Sequence, residues 1–186
     1  MNSLLNKCWL ILLITLTHFN TIVAANPLSN PPQEVVDSIP NAQPMGSGTY
    51  RWFGLHIYDA QLWSNTTAPV FNYKRDPCWL ELKYARNFDG ADIARKSREQ
   101  MAEMNIATRE QLKSWEIELA EIFPDIQVGH TLGALYIPNH GLQFFRNGKP
   151  LARLDNEDLA RSFMAIWLDP KTSAPELRKQ LIGLNK

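Results

Sequence analysis

The sequence's strongest hint of chemistry is a cation set among aromatics: Arg51 lies between Tyr50 and Trp52 in the run GTYRWF. A guanidinium in a half-buried strand needs a carboxylate partner, a path to solvent or an anionic ligand. Its planar fork suits a carboxylate head group, and the contact gains most where water is excluded. The bland alternative is an exposed strand residue or a pair with a nearby Asp or Glu, because strand faces beside a Gly-rich run are not set by pattern alone. Phe53, Tyr58 and Trp63 extend the aromatic density. Such density can build a base-stacking platform when basic charge accompanies it. Lys+Arg and Asp+Glu both number 19, so there is no basic excess to neutralise phosphates. Nucleic acid is therefore not an expected partner, and a sheet core or an apolar pocket is the better reading.

The other reactive residues point to structure. Asp155, Glu157 and Asp158 cluster in DNED, where carboxylates at a helix start favour the positive end of the dipole. His56, His130 and His140 have no His, Cys or carboxylate at ligand spacing, so no metal site is expected. There is no Gly-x-Ser-x-Gly elbow, phosphate loop, dinucleotide fingerprint or His-Glu-x-x-His, and so no cofactor motif. Cys78 opens an apolar strand-like run and reads as a small buried hydrophobe. Asn65-Thr66-Thr67 is formally a glycosylation sequon.

The elements that must position these residues follow from periodicity. Residues 46–63 read as two strands separated by Gly54. In the second, His56, Tyr58, Ala60 and Leu62 are expected on one face and Leu55 and Ile57 on the other. Residues 64–77 read as a loop, and 78–86 alternate as a half-buried strand. Asp89 is expected to cap a helix to about Met104, with Ile93, Ser97 and Met101 inward. Thr108 and Gln111 form a capping box for a second helix that Pro124 stops. Strands over 128–137, 142–146 and 150–154 follow, and Asn147-Gly148 predicts a type I′ hairpin. Asp155 is expected to cap one last helix, and Ser173 with Glu176 another. Short turns make neighbouring strands antiparallel. The expected class is α+β, one antiparallel β-sheet backed by a layer of helices.

The N-terminus has the pattern of an export signal. Lys7 precedes the apolar run CWLILLITL, and Val23 and Ala25 occupy the −3 and −1 positions of a cut before Asn26. The run is too short to span a bilayer, which needs about 20 residues. Expected organisation is a signal peptide over 1–25, a proline-rich lead-in over 26–44 and one domain over 45–186. Cleavage leaves about 160 residues, enough for one core. It leaves Cys78 as the lone cysteine, so no internal disulfide is expected. The expected location is periplasmic or secreted.

GSGTYRWFGLHIYDAQLW over 46–63 resembles the opening strands of the chalcone isomerase-like family, in its bacterial exported branch. Later stretches match in order: LKYAR, FPDIQVGHTL, GLQFFRNGKPLARLDNEDLARSFMAIWL and SAPELRKQLIG. The FFRNG hairpin leading to a helix that ends in IWL is the most specific. The resemblance implies an open-faced β-sandwich. Plant members cyclise chalcones to flavanones, whereas other members bind fatty acids. Carried onto this chain, the plant site's arginine falls at Arg51, one residue off the spacing that Tyr50 meets. Its strand threonine falls at His56, its helix tyrosine at Ile93 and its asparagine at Gln100. The cation is kept approximately, the amide changes conservatively and two hydroxyls are lost.

The resemblance and the residues together lead to an expected function. The chain is read as an exported, non-catalytic chalcone isomerase-like protein binding a small hydrophobic ligand such as a fatty acid. Its binding residues are Arg51, His56, Ile93 and Gln100, with no catalytic residue, metal or cofactor. The alternatives are a ligand-free envelope interaction protein and, less favoured, an isomerase (an intramolecular lyase).

Overall fold

A computed structural model describes residues 30–184. The signal read over 1–25 lies outside the described residues. The elements run α1 (Gln33–Ser38), β1 (Gln43–Trp52), β2 (Leu55–Ser64), β3 (Cys78–Tyr84), α2 (Gly90–Glu103), α3 (Arg109–Ile122), β4 (Thr131–Tyr136), β5 (Leu142–Arg146), β6 (Lys149–Leu154), α4 (Glu157–Leu168) and α5 (Pro175–Leu181). The six strands form one sheet in sequence order, and every neighbouring pair is antiparallel. This is the α+β architecture that the strand and helix order predicts. Among the described residues no helix is long and apolar enough to cross a membrane.

The strand period of two sorts the residues onto two faces. Leu62, Leu80, Leu82, Ala134 and Phe144 lie in the main core under the helices, with Met101, Leu119, Phe163 and Ile166 from above. Cys78 is also buried there, as the sequence placed it, and burial pushes its thiol pKa up. α4 is apolar nearly all round and buried along its length from Leu159, so it is the central helix of that layer. α5 lies against β1 so closely that a Cβ on Gly46 would sit 2.0 Å from the Gln180 carbonyl oxygen.

The opposite face has its own small core, which the sequence did not foreshadow. Trp79, Leu135 and Phe145 are buried there by Val35 and Ile39. Within the stretch read as a proline-rich lead-in over 26–44, α1 forms, because Val35 and Ile39 have apolar surface to cover. Val35 and Ile39 are both fully buried. Trp79 crosses Phe145 edge-on at 5.1 Å, and its ring covers Gly133, where a Cβ would meet the indole at 1.8 Å.

The turns and caps refine the expectations. Asn147 and Gly148 both have positive φ, 50° and 73°, the turn that their types predict. Phe53 and Gly54 repeat it at 47° and 78°. The Thr108–Gln111 capping box is present in both directions. Asp89 occupies its cap position without a side-chain bond, and Asp125 Oδ1 instead accepts from Gly90 N at 3.0 Å. Asn156, not Asp155, caps α4 by accepting from Leu159 N at 3.2 Å, while Asp155 pairs with Arg153. Ser173 does not cap α5, which has Pro175 in its first turn and no side-chain cap. Its hydroxyl turns to Gln100 instead.

Candidate functional site

Between the sheet and the helical layer lies a cavity of about 300 Å³. Leu80, Leu82, Leu132 and Ala134 form its floor on β3 and β4. Ile93 on α2, with Phe163 and Ile166 on α4, closes it from above. The local cause is plain: each strand and helix presents its apolar stripe inward, so the walls of the space between the layers are apolar and aromatic.

Polar atoms are few and mostly come from aromatic rings. Tyr58 stacks on Tyr50 at 5.1 Å and meets Tyr84 edge-on at 5.8 Å. Trp167 Nε1 donates to the Tyr58 hydroxyl at 3.0 Å, which leaves the phenolic proton free to donate. Burial pushes the phenols of Tyr58 and Tyr84 well above their ordinary range, so both remain neutral donors at any physiological pH. Ser97 Oγ is spent on the Ile93 carbonyl at 2.8 Å. Gln100 lines the cavity and accepts from Ser173.

Charge is confined to the exposed side of α2, where Asp92, Arg95 and Lys96 join the lining. Arg95 reaches Asp92 at 2.8 Å and Glu99 at 2.9 Å, and Lys96 reaches Glu99 at 2.7 Å. These are surface pairs of small individual worth, easily exchanged for another anion.

Of the residues singled out from the sequence, Ile93 and Gln100 line the cavity, and Arg51 and His56 lie outside its lining. Tyr50 and Trp52 both line it, so alternation turns Arg51 to the other face. There Arg51 is exposed, with Nη1 donating to the Gly54 carbonyl at 3.4 Å. His56 was expected on the face of Tyr58. A bulge intervenes: Tyr50 pairs with Tyr58 but Arg51 pairs with His56, so Ile57 is an extra residue. Two strand positions then fall on opposite faces. His56 Nε2 meets Asp59 Oδ1 at 3.0 Å, and Thr49 Oγ1 donates to the same oxygen at 2.6 Å. Sequence reasoning missed Tyr58, Tyr84 and Trp167 as site residues. The only signal was aromatic density, which does not say which rings will share a cavity.

The profile of the chalcone isomerase-like family matches residues 45–183. The chain belongs to that family. Its fold is correspondingly similar to the crystal structure of Arabidopsis thaliana fatty-acid binding protein, with a TM-score of 0.55 at 13% identity, covering 77% of this chain and 87% of that one. At this identity the likeness shows the chalcone isomerase-like fold. No curated protein matches the sequence. Among the described residues of this chalcone isomerase-like chain, no cluster of three His, Cys, Asp or Glu is placed to hold a metal ion.

Proposed function

We propose that the chain is an exported, non-catalytic member of the chalcone isomerase-like family that holds a fatty acid or similar amphipathic molecule. The observation that carries this is the cavity itself: apolar and aromatic walls, few polar atoms, and charge only along one helix face. That is the composition of a small-molecule site. The similar Arabidopsis fold is that of a fatty-acid binding protein, which supports the same ligand class. The acyl chain lies over Leu80, Leu82 and Phe163. Ile93 packs along it, and Gln100 orients the head group. Arg95 and Lys96, at the lining's charged side, take the carboxylate in exchange for their surface partners.

The non-catalytic reading rests on the two hydroxyls lost from the site that the resemblance carries over, with Ile93 and His56 in their places. Cyclisation of a chalcone needs a phenolate held against placed charge-stabilising donors, each worth about a hundredfold or more. Burial holds Tyr58 and Tyr84 protonated, so neither is a base at neutral pH. Calorimetric titration with fatty acids of increasing length should show saturable one-to-one binding, and naringenin chalcone should convert no faster than in buffer. Failure to bind any chain length would end the carrier reading. Conversion well above the spontaneous rate, lost in Tyr58→Phe, would make the protein an isomerase. Export has a separate check: N-terminal sequencing of the protein from cells should begin near Asn26, and an intact Met1 would overturn it.

A further inference from the structure

The sheet end beside the cavity carries apolar side chains that nothing in the fold covers. Trp52 is 53% exposed, Phe53 88% and Leu55 48%, all at the β1–β2 hairpin tip. Trp52 and Phe53 form an edge-on aromatic pair with centroids 4.8 Å apart. Val128, 63% exposed, lies at the same end: Gly129 N donates to the Tyr84 carbonyl at 2.8 Å, at the close of β3. Two exposed arginines accompany them. Arg51 sits on β1 beside the tip, and Arg86 follows β3, where Ala85 N bonds to the Ile57 carbonyl. Neither has a carboxylate partner among the described residues. Trp52 also belongs to the cavity lining, so tip and cavity are continuous.

We infer that this hairpin tip docks the protein on an anionic lipid surface, where the cavity exchanges its ligand with the bilayer. The inference rests on the carrier reading for the exchanged ligand, but docking itself does not need a ligand. The shape favours lipid over protein. A stable protein interface buries about 800 Å² per partner from about 20–30 residues, more than this patch of four apolar side chains and two arginines offers. An aromatic wedge flanked by cations suits the headgroup layer, where Trp and Phe rings seat at the boundary and arginines meet anionic lipid. Phe53 strengthens the case: a bulky residue at positive φ is strained, and beyond its ring contact with Trp52 the side chain stands in solvent.

The test is sedimentation of the ligand-free processed chain with vesicles of phosphatidylcholine containing a quarter phosphatidylglycerol, against phosphatidylcholine alone. Wild type should pellet with the anionic vesicles, and less so as salt rises. Phe53→Asp should lower partitioning about tenfold or more, from the apolar area lost, and Asp tolerates that backbone. Replacing both arginines with Gln should cost about fivefold per charge. All variants should keep wild-type affinity for fatty acid. Equal pelleting of Phe53→Asp and wild type, or no pelleting by wild type, would overturn the docking. A Phe53-dependent dimer in sedimentation velocity would overturn it too, by assigning the tip to a second copy of this chain. Vesicle binding without fatty-acid binding would remove the carrier reading alone.

Discussion

Ile93→Trp should reduce fatty-acid affinity at least about tenfold while leaving the fold intact. Ile93 is half-buried on α2 and its side chain closes the cavity over the β3–β4 floor. An indole there must either occupy the ligand's space or push α2 outward. Overpacking of that kind costs about 1–3 kcal/mol, and one decade of affinity is about 1.4 kcal/mol. The free protein has the cavity to take the ring, so its own stability should change by less than about 1.5 kcal/mol, the range for a swap that does not overpack. Ile117→Trp on α3 is the control, since Ile117 is 57% exposed and outside the cavity lining. Calorimetry on both variants decides it. Unchanged affinity in Ile93→Trp would place the ligand elsewhere.

Trp79→Ala should have the opposite signature, a large loss of stability with ligand affinity retained. Trp79 is fully buried between Phe145, Leu135 and the two apolar residues of the N-terminal segment. Truncating a core Trp costs about 3–5 kcal/mol. Its Nε1 is buried without a hydrogen-bond partner in the described structure, and relieving that orphan donor returns part of the cost. The expected loss is therefore near the lower bound, about 3 kcal/mol, read from urea melts. Trp79→Phe, which removes the donor but keeps a ring, should fall between. A loss under about 1 kcal/mol in Trp79→Ala would show that α1 adds no packed layer.

Those two positions lie on opposite sides of one sheet, Ile93 in the helical layer and Trp79 on the far face, and the sequence was legible for only one side. Cys78, Leu80, Leu82 and Tyr84 alternate cleanly with Glu81 and Lys83, so the inner face could be read from period alone. Trp79 sits at an alternate position that would be solvent in a one-sided sheet. Its cover comes from residues forty or more positions earlier in the chain, Val35 and Ile39, in a segment read only as a proline-rich lead-in. Long-range cover of this kind leaves no periodic trace.

The caps show the same limit at shorter range. Thr108 and Gln111 could be paired from spacing, and the box formed. At α4 two adjacent residues, Asp155 and Asn156, were chemically able to cap. Arg153 decided between them by taking Asp155. At α5 Ser173 was drawn away by Gln100, a partner seventy-odd residues distant.

By itself, then, the sequence determined the alternation of strands and helices, the antiparallel order, the family and the absence of basic excess. These depend on local period, turn chemistry and composition, which neighbouring residues carry. It could name Ile93 and Gln100 through the family resemblance, which carries the plant site's helix tyrosine and asparagine onto those positions, and both line the cavity. It could not orient His56, because a single extra residue at Ile57 reverses which face a side chain takes, nor Arg51, whose face depended on which way Tyr50 and Trp52 turned. The tertiary structure alone decided that Tyr58, Tyr84 and Trp167 meet around one cavity, and that Trp52 and Phe53 stand uncovered beside it. Such meetings join residues from β1, β2, β3 and α4, and only the packed sheet brings those distances to a few ångströms.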